Sequence, residues 1–308
     1  MLDAFATARA NDTFEVNAGF FRAPTLPSGR DDRVFALPVP ERAMTVAALW
    51  PGRDLCVELH WTPRLPVEVW ARFGNGSGNP LGPENSAPTG ALRVDVAFGR
   101  AHAHGPRDAF WGLRVGAAAL VGEALDRAGI AGVTPLGFTF YRPVPIEGLR
   151  ATATGHVRAW VGPVQLSVEG GVARDERSRD DDGNPATPRV PLAPILTWGA
   201  VAEVAWMLTG HRRVAGEWPH HDHPSWAPRW FGALELAARV ERLSLGEGAP
   251  DVLPGGAWGA AAALRWWANR WSALSLAGYV HAYDRAPLEA PDVTTAWSLL
   301  LRGTVRAP

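Results

Sequence analysis

Polar and apolar residues alternate along most of this chain with a period of two. In Leu234-Glu235-Leu236-Ala237-Ala238-Arg239-Val240-Glu241, Leu234, Leu236 and Val240 share one face, and Glu235, Arg239 and Glu241 share the other. Ser272 to His281 sets Leu274, Leu276 and Val280 against Ser275, Tyr279 and His281. The last segment sets Trp297, Leu299, Leu301 and Val305 against Ser298, Arg302, Thr304 and Arg306. Such alternation marks strands whose two faces meet different surroundings. The polar face carries charge, which a packed core does not accept unpaired. Apolar outside and charged inside is the arrangement of a membrane barrel around a watery pore. The predicted fold class is all-β, an antiparallel transmembrane β-barrel, with residues 1–308 as a single domain.

The same pattern places earlier strands at Leu2–Arg9, Phe14–Phe20, Leu55–Trp61, Val67–Phe73, Leu92–Phe98, Phe110–Ala119, Leu149–Val161, Val164–Val172 and Leu196–Leu208. Four more follow Trp230. The total is about thirteen, in a rhythm of short turn and long loop that suits periplasmic turns and outer loops. Arg22 to Arg53 reads as a long irregular segment with Pro24, Pro27, Pro38, Pro40 and Pro51. A connection of that length is usually functional or disordered. Gly74–Gly90, residues 121–147 and Arg174–Pro194 read as further long loops. Gly122–Ile130 is expected to form a short helix, and Phe138–Tyr141 a strand tip.

Composition narrows the classes. The chain has 308 residues, of which 47% are hydrophobic, yet the mean hydropathy is only −0.07. No apolar run is long enough for a membrane helix. A barrel shows this middling value because half of each strand faces water. The 15 tryptophans suit the two membrane interfaces; dense core packing is the alternative. Net charge is −1, which gives no sign of a nucleic-acid partner. All 30 basic residues are arginine, a side chain that stays charged and offers a fixed fork of donors to anions. Cys56 stands alone, so neither a disulfide framework nor a multi-cysteine metal site is available.

The first residues carry no basic leader and no apolar h-region, so no signal peptide is read here. The chain is expected to begin inside a barrel. Thirteen is odd, whereas bacterial barrels have even strand numbers; loss of about three N-terminal strands from about sixteen would restore parity.

Several short motifs, in order, carry a resemblance. They are Gly19-Phe20-Phe21-Arg22-Ala23-Pro24, Glu41-Arg42, Pro51-Gly52-Arg53-Asp54-Leu55 with His60, Phe73-Gly74-Asn75-Gly76 with Asn79, Leu81-Gly82-Pro83-Glu84-Asn85, Leu208-Thr209-Gly210 and Gly232–Arg239. Through them nearly the whole chain resembles the phosphate-selective porin (O and P type) family of outer membranes. The resemblance implies a pore for small anions or other small solutes, set in outer-membrane lipid as a homotrimer. It also implies that segment 22–54 folds inward and narrows the lumen. Two features depart from the family: there is no lysine, and the chain ends in Arg306-Ala307-Pro308 rather than an aromatic residue.

A pore needs charge of the right sign at its constriction rather than a catalytic group. The candidate anion-contacting residues are Arg30, Arg33, Arg42 and Arg53 in the constriction segment. Arg72, Arg93, Arg158 and Arg239 join them from predicted inward faces. Glu15, Glu58, Glu68, Asp95, Glu169, Glu203, Glu235 and Glu241 point the same way, so neighbouring Arg and Glu pairing across strands is the competing role for each wall arginine. No cofactor or metal is expected: His220-His221-Asp222-His223 reads as a solvated turn, as do His102, His104 and Asp180–Asn184. No nucleophile-and-base set or dinucleotide fingerprint stands out. The competing functions are a non-transporting structural or adhesive barrel and a soluble β ligand-binding protein.

Overall fold

The computed structural model describes residues 3–32, 36–49, 52–76, 88–102, 109–179, 189–213, 231–269 and 271–305, with backbone alone at 124–128. One antiparallel sheet of thirteen strands dominates it. In sheet order these are β1 (Ala4–Asn11), β2 (Phe14–Arg22), β3 (Arg53–Trp61), β4 (Val67–Gly74), β5 (Thr89–Gly99), β6 (Trp111–Ala128), β9 (Pro145–Val161), β10 (Val164–Arg179), β11 (Val190–Met207), β12 (Ala233–Glu247), β13 (Gly255–Asn269), β14 (Ser272–Tyr283) and β15 (Thr295–Val305). Every neighbour in the sheet is also the next long strand in the chain. A two-stranded hairpin, β7 (Gly132–Val133) and β8 (Thr139–Tyr141), sits in the connection between β6 and β9. The sheet is a barrel wall with an open seam, since β1 and β15 do not pair.

The alternation sorts the faces. Val164, Leu166, Val168 and Val172 of β10 point outward, while Gln165, Ser167 and Glu169 are buried on the inner face. On β12, Leu236 and Val240 face out, and Glu235, Arg239 and Glu241 face in. The outer apolar band ends at Glu123, Arg174 and Arg242 towards the loop end. Tryptophan brackets the band. Trp198 and Trp206 lie eight residues apart on the outside of β11, and Trp258 and Trp266 do the same on β13. That spacing is about 26 Å along a strand, or roughly 20 Å of height at a tilt of about 40°, near the apolar band of about 25 Å that a barrel presents to lipid. Other tryptophans pack inside: Trp70, Trp160 and Trp267 are buried on the lumen side.

Three local expectations are corrected. The Gly122–Ile130 helix is absent, because β6 continues as strand to Ala128, paired with β9 back to Pro145. Much of the predicted 121–147 loop is therefore strand, and Arg174–Pro194 is shortened in the same way by β10 and β11. These wall extensions rise above the apolar band: their outer face meets water, while their inner face packs around Ile146, Ile195, Ala249 and Val252. Their outer positions carry charge and break the apolar rhythm, while strand pairing runs on past a register shift between Ala124 and Arg127 and another between Asp175 and Arg177. The connection between β11 and β12 lies at the turn end and spans 208–232, with 214–230 outside the described residues.

Candidate functional site: an insert moored in the barrel lumen

Between β2 and β3 the chain leaves the wall and lies against its inner face. It forms two short helices, α1 (Pro27–Arg30) and α2 (Met44–Leu49). Leu26, Val39, Met44, Thr45, Val46 and Leu49 of this insert are buried. The wall is shaped to receive them. Val39 sits on Ala205, Ala237, Ala261, Ala263 and Ala277 of β11–β14, a stripe of small inward residues that lets the insert backbone approach. At Gly259 a β-carbon would lie 3.0 Å from the Met44 methyl, and at Gly199 one would lie 2.8 Å from Thr45 Cγ2, so glycine makes room for α2.

Polar groups of the wall then tie the insert down. Arg158 of β9 holds the Asp32 carboxylate through both terminal nitrogens, at 3.1 and 2.6 Å, and also donates to Glu169 at 2.7 Å. Glu169 of β10 accepts from the Ser28 hydroxyl at 2.5 Å and from its amide. That contact satisfies an amide that opens α1 and has no intrahelical acceptor. Arg93 of β5 reaches Asp31 at 3.0 Å while gripping Asp95 at 2.8 and 2.6 Å. Arg30 pairs bidentately with Glu58 of β3. Farther along, Glu241 accepts from the Thr45 amide at 3.1 Å, Arg239 donates to the Glu41 carbonyl at 2.7 Å, and Arg265 donates to the Leu37 carbonyl. Arg213 joins the Ala36 carbonyl to Glu235, and Arg302 meets both the Pro40 carbonyl and the Glu41 carboxylate. Bidentate, charge-assisted pairs are the stronger hydrogen bonds, and out of water they fix geometry firmly.

Where the insert leaves and rejoins the wall, three guanidiniums gather. Arg22 and Arg53 share Asp3, at 3.0 and 2.7 Å. Arg42 donates to the carbonyls of Ser28, Gly29 and Asp32. Burial pushes the Arg42 guanidinium below its ordinary range, and the charges of Arg22 and Arg53 add to that. For Asp31 burial and the neighbouring charges oppose each other. Burial pushes the Asp31 carboxyl up, but Arg93, Arg30 and Arg114 more than offset it and leave it below the usual carboxylate range. Asp31 keeps about a third of its side-chain surface exposed.

Six of the eight candidate arginines fall into two groups. Arg30, Arg93, Arg158 and Arg239 hold the insert to the wall, and Arg42 and Arg53 belong to the neck cluster. Arg72 is buried on β4, 3.6 Å from Asp54, and its guanidinium and that of Arg30 lie 5.6 and 5.7 Å from the Phe21 ring centroid. Arg33 lies outside the described residues, as do His104, His220–His223 and Asp180–Asn184. His102 meets the Leu65 carbonyl at 2.8 Å. Among the described residues no cluster of three or more His, Cys, Asp or Glu is placed to hold a metal ion. Sequence reasoning passed over Arg22, Asp31, Asp32 and Arg213. The first three sit in or beside a segment without periodicity, where nothing assigns a face. Arg213 follows a strand end, and its partner Glu235 is a strand away.

No family model and no curated protein matches this chain. Solved structures do. The chain is similar to the outer-membrane expressed OmpT of Vibrio cholerae, with 12% identity over 98% of this chain and 80% of that one, at a TM-score of 0.58. The in-vitro folded form of the same Vibrio cholerae outer-membrane protein matches at 10% identity and a TM-score of 0.58, covering 97% of this chain and 87% of that one. A BenF-like porin from Pseudomonas fluorescens Pf-5 aligns at 11% identity with a TM-score of 0.42, over 99% of this chain and 77% of that one. The OmpT likeness establishes the architecture: this is an all-β chain of outer-membrane barrel type.

Proposed function

We propose that this chain builds most of the wall of an outer-membrane pore through which small solutes, small anions among them, pass beside a lumenal insert. One observation carries the reading: a single sheet has an apolar outer band bracketed by tryptophan and a charged inner face on which a polar insert is lodged. Lipid stabilises the first surface and a hydrated passage the second. Kinship with the phosphate-selective porins of the O and P type belongs to the same proposal and rests on the ordered motifs of the sequence. The preference for anions rests on the neck, where Arg22, Arg42 and Arg53 surround Asp3 and backbone carbonyls; cationic clusters at a constriction favour anions. The reading calls for no catalytic group.

The test is electrophysiology on the purified protein in planar bilayers under a salt gradient. The wild type should conduct with a reversal potential on the anion side, and Arg42→Gln with Arg53→Gln should shift it towards zero. An unchanged potential would remove the arginines from the mechanism. A wild type that inserts but does not conduct would favour a non-transporting scaffold, the second reading, which the many tethers on the insert support.

A further inference from the structure

The hairpin β7–β8 belongs to an outer connection, yet it folds back over the lumen. It starts beside β6 and β9 and crosses to the upper inner faces of β12–β14. There Phe140 stacks on Tyr283, with ring centroids 5.3 Å apart, and packs with Met44 of α2, Leu243, Leu245 and Ala257. Ile130 packs against the same cluster and also against the one that contains Val46 and Leu49 of α2. Helix α2 is therefore covered by the hairpin on one side and by the wall on the other.

The seat for the hairpin is built from glycine. A β-carbon at Gly255 would lie 2.7 Å from the Tyr141 ring, and one at Gly246 would lie 2.1 Å from the Tyr141 hydroxyl. At Gly132 a β-carbon would meet Phe140 at 2.6 Å and Leu245 at 2.8 Å. Paired strands tolerate alanine at the backbone conformation of Gly255, so its missing side chain reads as space for the Tyr141 ring rather than as a turn requirement. Beyond the seat, Arg142 pairs with Glu289 of the β14–β15 connection at 3.3 Å. A connection that only linked two strands would have no use for a slot of this kind.

We infer that the β7–β8 hairpin is a lid, seated by Tyr141 in the Gly246/Gly255 slot, that sets the size limit of the outer mouth. The inference rests on the pore reading and adds a second narrowing element above the insert. Gly255→Ala fills the slot from the wall side, and Tyr141→Ala empties it from the lid side. Overpacking or loss of an anchoring ring shifts a seated-to-unseated ratio by roughly tenfold or more.

Two readouts on the full-length protein in lipid vesicles separate the outcomes. The first is the rate of chymotrypsin cleavage within 138–141, which reports unseating whether or not the protein conducts. The second is liposome swelling with sugars of increasing size. We expect both variants to be cut about ten times faster and to admit sugars the wild type excludes. If the wild type swells normally and the variants keep its cutting rate, or are cut faster with the same size limit, the lid assignment is overturned while the pore stands. If the wild type admits no sugar, the pore reading fails and the lid falls with it.

Discussion

Replacing Asp32 with alanine removes the anchor that joins α1 to β9. Asp32 and Arg158 keep only 7% and 4% of their side-chain surface exposed, and two of their atom pairs lie within hydrogen-bond distance. Removing one partner of a buried pair costs about 3–5 kcal/mol, because the other charge is stranded. Here Arg158 keeps Glu169 at 2.7 Å, which retains part of the pairing, so we expect Asp32→Ala to cost about 2–3 kcal/mol. Arg158→Met should cost more, since it strands Asp32 and leaves Glu169 with only its Ser28 donors. In a double-mutant cycle the pair should couple by more than about 1 kcal/mol. Urea unfolding of vesicle-reconstituted protein, followed by tryptophan emission, gives the global value. Hydrogen exchange at the amides of 27–32 shows whether the loss is local. A cost below about 0.5 kcal/mol for Asp32→Ala, within the range of ordinary surface changes, would refute the view that this contact moors the insert.

Other outcomes follow from the same geometry. Val168→Arg places a guanidinium on the lipid face near the middle of the apolar band and should cost about 2–4 kcal/mol in folding into vesicles; a neutral result would mean the outer face does not meet lipid. Asp31 titrates below the usual carboxylate range in the folded protein. Its contribution to stability is therefore full above the unfolded value of about 4 and is lost as pH falls through the lower folded value. Acid unfolding of Asp31→Asn should accordingly show a shallower loss below about pH 4 than the wild type, and identical curves would dismiss the Arg93 contact as a source of stability.

The wall was legible because lipid and lumen each impose one side-chain character on alternate residues. Leu236, Val240, Glu235 and Arg239 announce their faces without any knowledge of their neighbours. That rule ends where lipid ends. Arg174, Glu176 and Glu123 are outward residues above the band, and their charges read as the start of loops although the strands run on, with a register shift at Glu176. The insert was visible as a proline-rich interruption, but its contacts were not. Asp32 meets Arg158 at a separation of 126 residues, and Thr45 meets Glu241 at 196. No local pattern encodes such a pairing. Arg30 shows the consequence. On sequence it lines a passage, whereas in the structure Glu58 neutralises it and the pair serves attachment.

The insert joins neighbouring strands β2 and β3, yet its anchors are spread from β3 to β15, with Glu41 reaching Arg302 across 261 residues of chain. The farthest of those anchors exist only once the far strands stand in register. Long-range closures of this kind come late, because chain entropy must be spent before any contact rewards it. The insert's anchors to β3 and β5 need only neighbouring strands, but the full set requires β12 to β15 in place. Complete docking therefore reads out whether the last strand, β15, stands in register.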